Sequence, residues 1–238
     1  MPMHASQAVF PKPDPTARLL LKIYRSKLTV EMTLKMNYEK MKNSGLLESV
    51  SELMCMRRTV LPKRLVLPGP DSNQLQALLA AAATGPDHEQ LSPWRLVLIP
   101  DAQRKLLGQI FVEALSERET KISMERVSLC HEKAQRAPML LLLVVDLEKG
   151  DQKIDLMERL ISAGCALQNM LLLATAMGYG SSLTSGNALK SKALRVGFGL
   201  KQGEHAVCFL SMGTELAQAP QKLRKNTREF FSVWTSHG

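Results

Sequence analysis

The sequence predicts a layered fold of the α/β or α+β class. Three apolar segments have the length and composition of strands, at residues 94–99, 139–146 and 205–212. Segments with helical apolar spacing separate them, and strands that alternate with helices are typical of layered folds. The chain has 238 residues, 45% of them hydrophobic, so one or two domains and one large core are feasible.

The first third of the chain is predicted to be helical, with a proline-rich start. Four prolines between residues 1 and 16 predict a loose arm, and residues 17–42 have the pattern of one or two basic amphipathic helices. A further helix is predicted at Leu46–Met56. Prolines and a glycine then predict an extended connector at residues 62–70. Asp71 is an N-cap residue for a helix that runs to about Ala83.

The remaining segments alternate between helix and strand. After strand 94–99 a helix is predicted to about Arg118, and the polar residues 119–137 predict its continuation. The wholly apolar run 139–146 predicts a strand buried on both faces. Residues 155–177 form a helix that is apolar nearly all round, which predicts a central position or a subunit interface. The last segments are a small-residue loop (181–187), a short helix (188–196), a turn (197–203) and the third strand.

The net positive charge indicates an anionic partner but does not identify which kind. The net charge is +9, and residues 1–60 contain ten Lys and Arg against five Asp and Glu. Such an excess suits phosphates, nucleic acid or a membrane surface. For residues 17–42 three interpretations remain open: a helix packed on the body or on a dimer partner, a mobile extension, or a contact with a membrane surface or nucleic acid. A basic start also leaves an organelle transit peptide open.

Cysteine spacing argues against a zinc-binding protein, and hydropathy argues against a protein that spans a membrane. Cys55, Cys130, Cys165 and Cys208 fit no zinc or CxxC pattern and lie in apolar surroundings, as buried thiols of a reducing compartment do. No apolar run approaches the roughly 20 residues of a membrane span. We therefore expect a cytoplasmic protein without a metal site.

The loop before the first strand has the composition of a binding site. Residues 84–93 contain a glycine, two prolines and His88, between a helix end and a strand start. Proline fixes φ and glycine permits positive φ, so the sequence predicts a loop with a defined backbone conformation. Loops anchored on both sides commonly hold functional residues. Trp94 is predicted to be a core residue and Arg95 a surface residue.

Four motifs, in order and spacing, resemble those of the FMN-dependent nitroreductase family, and most closely its minimal single-domain members. They are Arg57-Arg58-Thr59; Thr84-Gly85-Pro86-Asp87-His88 with Ser92-Pro93-Trp94-Arg95; Ser162-Ala163-Gly164-Cys165-Ala166 through Gly178-Tyr179-Gly180 to Thr184-Ser185-Gly186; and Phe209-Leu210-Ser211-Met212-Gly213-Thr214. The resemblance covers about residues 50–225. It implies two regions: a basic helical extension (1–45) and an FMN-binding domain (46–238).

The resemblance implies an α+β sandwich with a mostly antiparallel central sheet wrapped by helices. It also implies an intertwined homodimer with FMN at the interface. Hydride would pass from NAD(P)H through FMN to nitroaromatics, quinones or similar small-molecule acceptors, in alternating half-reactions. The cofactor carries the redox chemistry, so no side chain is assigned as a general acid or base.

The resemblance also implies where the cofactor binds. Arg57, Arg58 and Thr59 would hold the FMN phosphate and ribityl chain, since guanidinium groups form paired hydrogen bonds with phosphate; a solvated helix C-terminus is the alternative for these cations. The nicotinamide would lie at the helix end 174–178. The other residues implied in cofactor binding are Thr84, His88, Leu183, Thr184, Ser185, Lys222 and Arg224, with Gly186 permitting close approach of the backbone.

Two departures from the family pattern open a second hypothesis. The position of Thr84 is often Arg in the minimal members, and the positions of Leu183 and Thr184 are often Trp and Arg. Loss of cations near the flavin should alter its potential. A flavin-binding protein that is inactive or weakly active, and that interacts through its basic extension, is therefore the alternative to an enzyme. A membrane-binding or nucleic-acid-binding role for the extension is the third hypothesis.

Overall fold

In a computed structural model of the chain, the described residues are 45–217, 224 and 226–235. The predicted arm at 1–16 and the predicted helices at 17–42 lie outside these ranges. The chain divides between Glu52 and Leu53 into two units. The predicted domain boundary at residue 45 stays a prediction.

A five-stranded antiparallel sheet forms the centre of the second unit. Strand β5 pairs with β1, β3 and β4, and β2 pairs with β3, so the order is β1-β5-β3-β2 with β4 beside β5. All of these pairings are antiparallel, which selects the α+β class over α/β and confirms the fold that the resemblance implied. The strands are β1 (Leu65–Val66), β2 (Trp94–Leu98), β3 (Met139–Asp146), β4 (Gly180–Thr184) and β5 (Glu204–Glu215).

The helices of the described residues are α1 (Leu46–Met56), α2 (Ser72–Ala82), α3 (Arg104–Ser116), α4 (Met124–Gln135), α5 (Leu156–Ala176) and α6 (Lys192–Gly197). Of these, α2 and α5 pack on one face of the sheet, and α3, α4 and α6 contribute to the hydrophobic layer on the other. Helix α1 crosses the boundary between the units and has no buried residue. The predicted cap of α2 is confirmed: the Asp71 carboxylate accepts from the Gln74 N–H at 2.8 Å.

Strand β3 supplies side chains to two hydrophobic layers. Its residues from Met139 to Val145 are all buried, as the wholly apolar run predicted. Alternate side chains point to opposite faces of a strand. Leu141 and Leu143 thus pack in the layer with α2 and α5, while Leu142 and Val144 pack in the layer with α3 and α6.

The structure corrects the sequence prediction in four places. Residues 181–187 were expected to be a loop, but most of them form β4, which pairs with Phe209–Gly213. The connector 62–70 contains the short strand β1. The predicted helix over 119–137 starts only at Met124 after its cap Ser123, so it does not continue α3. The predicted helix 188–196 is interrupted at Ser191, whose side chain caps α6.

The physical reason differs between these cases. Gly-Ser-Ser-Leu-Thr in β4 has low intrinsic strand preference, and pairing with β5 decides its conformation. The helix breaks follow from local side-chain caps: the hydroxyl of Ser123 accepts the Arg126 N–H and that of Ser191 accepts the Leu194 N–H. Serine favours such caps over helix interiors.

Helix α5 is the central helix of the unit. It is the one helix among the described residues whose length and composition suit a membrane span. Eight of its residues are buried, most of them in the layer against the sheet, so it is a core helix. Its other side is exposed and apolar, at Leu156, Met157, Leu160 and Ile161. The predicted central position is therefore confirmed, and the alternative of a subunit interface stays a prediction.

Candidate functional site

The Arg57-Arg58-Thr59 segment lies beside the start of β4. It follows α1 directly, and Thr59 forms a parallel bridge with Ser181. The Val60 N–H donates to the Ser181 carbonyl at 2.9 Å. The first and third predicted motifs are therefore neighbours in space.

Two cations, Arg57 and Arg224, are brought together at this segment. The Arg224 guanidinium donates through Nη2 to the carbonyls of Arg57 at 2.6 Å and Cys55 at 3.3 Å. Burial, together with the charge of Arg224, lowers the pKa of Arg57. Neither cation forms a salt bridge with an acid in the described part of the chain. Two like charges held close together are an arrangement that an anion stabilises.

Arg58 differs from Arg57 in having an acidic partner. Its Nη2 forms a hydrogen-bonded ion pair with Glu215 at the end of β5, and Arg64 approaches the same carboxylate at 4.0 Å. Among the described residues, the buried Nε atom of Arg58 has no hydrogen-bond partner. Arg58 therefore has one nitrogen engaged by the protein and one buried donor for a further acceptor.

His88 lies at the N-terminal end of α5, which is the end away from the Arg57 segment. Its Nδ1 is 2.5 Å from Oε2 of Glu158, in the first turn of that helix. The hydrogen bond with Glu158, and then the charge of that carboxylate, raise the pKa of His88. Thr59 contacts the strand that follows the other end of α5, and a helix of 21 residues is about 32 Å long. His88 is therefore held at the N-terminal end of α5, and the Arg57 segment lies beside the strand that follows its C-terminal end.

Thr84 is engaged within the protein. Its hydroxyl donates to the Ala81 carbonyl at 2.8 Å and accepts from Nδ2 of Asn169 at 3.0 Å. The next residue, Gly85, packs so tightly on α5 that a Cβ there would lie 3.1 Å from the Ala166 nitrogen. The Thr84 position is thus fixed against the middle of α5 and carries no charge.

The predicted flavin-contact residues 183–185 lie at the end of β4. Leu183 pairs with Leu210 and Thr184 with Phe209, and the Leu183 side chain is exposed. Gly186 has extended backbone and open space where a Cβ would be, so nothing in the described chain requires glycine there. Lys222 lies outside the described residues.

Sequence reasoning missed a buried polar network behind the loop. The Trp94 indole N–H donates to Oγ of Ser162 at 3.1 Å, and that hydroxyl donates to Oδ1 of Asp87 at 3.0 Å. Trp94 also packs against the main core, as predicted. Arg95 is half-exposed but pairs with Glu204 at 2.6 Å, so it is more than a surface residue. No local pattern predicts these partners, which are 68 and 109 residues away.

The described residues contain no cluster of His, Cys, Asp and Glu that would hold a metal ion. The donor set at the Arg57 segment consists instead of guanidinium groups, hydroxyls and backbone, which suits a phosphate. The exposed Leu183 nearby suits an apolar ring system.

The antiparallel sheet and this segment place the chain in a known family. The model of the nitroreductase family matches residues 57–214, so this chain belongs to the nitroreductase family of oxidoreductases.

The relatives support the same class. The "Putative NAD(P)H nitroreductase YdjA" of Escherichia coli K12 is 30% identical over 171 residues, which cover 71% of this chain and 89% of that protein. A nitroreductase-like family protein from Bacillus cereus superposes with a TM-score of 0.67 at 22% identity, over 77% of this chain and 95% of its own. A variant of the FMN and NADPH-dependent nitroreductase NfnB from Sphigopyxis sp. strain HMH superposes with a TM-score of 0.60 at 15% identity, over 77% and 97%.

Proposed function

We propose that this protein is an FMN-dependent oxidoreductase. In a ping-pong mechanism it would take hydride from NAD(P)H and pass it to a nitroaromatic, a quinone or a related small acceptor. The observation that carries the proposal is the pair of cations, Arg57 and Arg224, beside β4 in a chain of the nitroreductase family. The NAD(P)H and FMN dependence named for the relatives supports it.

The residues present fit the phosphate of FMN. Arg57 and Arg224 offer guanidinium groups without a carboxylate salt-bridge partner among the described residues, and Nε of Arg58 is a buried donor without an acceptor. Thr59 adds an exposed hydroxyl in the same segment. We propose that these four hold the phosphate and ribityl chain, and that Lys222, which precedes Arg224 by two residues in the sequence, adds a further cation. Burial and then the charge of Arg224 lower the pKa of Arg57, and a dianion among these groups would offset both effects.

The isoalloxazine ring would rest along the end of β4. Leu183 is 41% exposed there, an apolar surface for a planar ring, and the side chains of Thr184 and Ser185 supply hydroxyls. The nicotinamide would approach from the nearby C-terminal end of α5, at residues 174–178. When bound, FMN supplies the chemistry of accepting and donating hydride; the protein binds and orients the reactants.

We propose that the working form is a homodimer with the cofactor between subunits. The outer face of α5 exposes Leu156, Met157, Leu160 and Ile161, an apolar surface of the kind that subunits cover. His88 is also held at the N-terminal end of α5, whereas Arg57 lies beside the strand that follows its C-terminal end, and we propose that the two serve different copies of the cofactor. His88 and Thr84 would therefore contact the FMN whose phosphate is held by the partner subunit.

Absorption spectroscopy tests the proposal directly. Purified protein should be yellow, and NADH or NADPH should bleach the flavin absorbance. Each of Arg57→Ala and Arg224→Ala should weaken FMN binding about tenfold to a hundredfold, because each removes a charge-assisted hydrogen bond to phosphate. Arg126→Ala is the matched control, since it removes an exposed arginine that pairs with Glu119 far from the site. A colourless protein that takes up no FMN contradicts the proposal.

The second candidate is a flavin-binding protein without turnover. It is favoured by one observation: Thr84 and Thr184 are neutral, and the Thr84 hydroxyl is used by Ala81 and Asn169. Bound FMN that neither nicotinamide reduces would support it, whereas steady turnover with a quinone or nitroarene excludes it. The basic extension at 1–45 would then act as the interaction region. We propose a cytoplasmic location for either candidate, because a reducing compartment keeps thiols such as those of Cys130, Cys165 and Cys208 free.

A further inference from the structure

The loop that carries His88 has an unusual backbone. Glu89, Gln90 and Ser92 have φ values of 52°, 55° and 47°. A non-glycine residue in this left-handed region is strained, because its Cβ approaches the following carbonyl oxygen. Three such residues within four positions persist only when the surrounding contacts determine the conformation.

The carboxylate of Asp87 holds this loop from within. Its Oδ2 accepts the Ser92 N–H at 2.6 Å, and its Oδ1 accepts the hydroxyl of Ser162 at 3.0 Å. Ser162 is 4% exposed and lies on α5, so the loop is fastened to the central helix. Lys149 donates to the Ser92 carbonyl at 2.7 Å from the other side.

The same face of α5 holds His88. Glu158 precedes Ser162 by four residues, one helical turn, so the two side chains lie on one face. They bind consecutive loop residues: Ser162 binds Asp87, and Glu158 binds Nδ1 of His88 at 2.5 Å. Two adjacent anchors fix both the position and the orientation of the imidazole.

This orientation leaves the other ring nitrogen available. Nε2 lies across the ring from Nδ1 and has no hydrogen-bond partner among the described residues, and the His88 side chain is 50% exposed. The charged groups that act on the ring are Glu158, Glu89 and Asp87, all acidic, and together they raise the pKa of His88. The raised pKa favours the charged imidazole, and in that form Nε2–H is a donor.

We propose that Glu158 is a positioning residue of the flavin site, which holds His88 so that Nε2–H donates to an oxygen of the flavin bound by the partner subunit. Asp87 and Ser162 fix the loop backbone for the same purpose. This inference rests on the proposed function, since it takes FMN as the ligand. The ligand chemistry is an oxygen acceptor or anion, which the charged imidazole binds more strongly than the neutral one does.

Two variants separate the charge of Glu158 from its hydrogen bond. Glu158→Gln keeps an acceptor for Nδ1–H but removes the charge, and Glu158→Ala removes both. Glu89→Gln is the matched control, because it removes a carboxylate from the same loop that does not bond to His88. The ring of His88 is followed by NMR as a function of pH in protein without FMN, and FMN affinity is then measured between about pH 5.5 and 8.5.

In the protein without FMN, we expect Glu158→Gln to lower the pKa of His88 more than Glu89→Gln does. FMN affinity should then fall by about threefold to tenfold at pH 7.5, with little change at pH 5.5, where the imidazole is charged in either protein. Glu158→Ala should weaken FMN binding across the whole pH range, since it also frees the ring. A structural role alone would not move the pH profile.

Two results overturn the inference. If Glu158→Gln lowers the pKa of His88 but the pH profile of FMN affinity stays that of the unaltered protein, His88 is not a ligand and Glu158 does not position it. The same holds if the pKa of His88 does not change. A protein that binds no FMN at any pH overturns the proposed function instead, and the NMR titration still reports whether Glu158 holds the ring.

Discussion

The ion pair between Arg95 and Glu204 offers a quantitative test of the fold. Arg95 lies on β2 and Glu204 on β5, the two neighbours of the central strand β3. The carboxylate is 6% exposed, and it accepts from Nε of Arg95 at 2.6 Å, from Nη2 at 3.0 Å and from the Lys201 N–H at 2.9 Å. The hydrogen bonds from Arg95 are the main cause that lowers the pKa of Glu204 from 4.5 to about 2.

The lowered pKa gives the magnitude and the pH range of the effect. Each unit of pKa difference between the folded and unfolded states corresponds to about 1.4 kcal/mol of folding stability. The lowered pKa of Glu204 therefore corresponds to a contribution of at most about 3.4 kcal/mol. Arg95 is 44% exposed and screened by water, which reduces the contribution to about 2 kcal/mol. Because the folded pKa is the lower one, this stability is complete above about pH 5 and is lost as the pH falls toward 2.

Thermal unfolding of Glu204→Gln measures this contribution. At pH 7 we expect Tm to fall by roughly 4–8 °C, since 1 kcal/mol corresponds to about 2–4 °C for a chain of this size. At pH 3 the difference from the unaltered protein should shrink to less than half. Glu125→Gln, which removes an exposed carboxylate, is the control. Equal losses at pH 7 and pH 3, or no loss at pH 7, would refute the argument.

Two further substitutions test buried polar groups. Arg104→Met should lower the free energy of unfolding by about 3–5 kcal/mol, since the guanidinium of this 2% exposed residue donates to backbone carbonyls, among them those of Ile99 and Ala134, that the methionine would leave unsatisfied. Urea denaturation measures the loss, and a change below about 1 kcal/mol contradicts it. Ser162→Ala should cost about 1–3 kcal/mol, because both the Trp94 N–H and the Asp87 carboxylate lose a buried partner. It should also change the fluorescence of Trp94, and unchanged fluorescence and stability would show that the network is not formed.

The sequence predicted the elements whose signal is local. The wholly apolar run 139–146 gave strand β3 with its residue limits, because a strand buried on both faces needs apolar side chains at every position. The Asp71 cap fixed the start of α2, since the capping carboxylate and the N–H that it accepts are three residues apart. The motifs at Arg57 and at 84–88 also identified the family, which the family match to residues 57–214 confirms.

The arrangement of the site depends on contacts that no local pattern contains. Strand β4 forms through its pairing with β5, so its weak local preference predicted a loop. From the sequence motif, Arg57 and Arg58 were predicted to have the same role in phosphate binding. The fold distinguishes them, because it brings Glu215 to Arg58 and Arg224 to Arg57.

The loop at 84–93 likewise combines features that the sequence predicted with contacts that only the tertiary structure supplies. Its prolines, its glycine and His88 predicted a built loop at a binding site. The residues that fix its shape, Glu158 and Ser162 on α5, are about seventy positions away. Sequence alone therefore determined the helices and strands whose signal is local, such as α2 and β3, and the candidate motifs. Tertiary structure decided which cations share a surface and which end of α5 holds the histidine, because those depend on how distant segments pack.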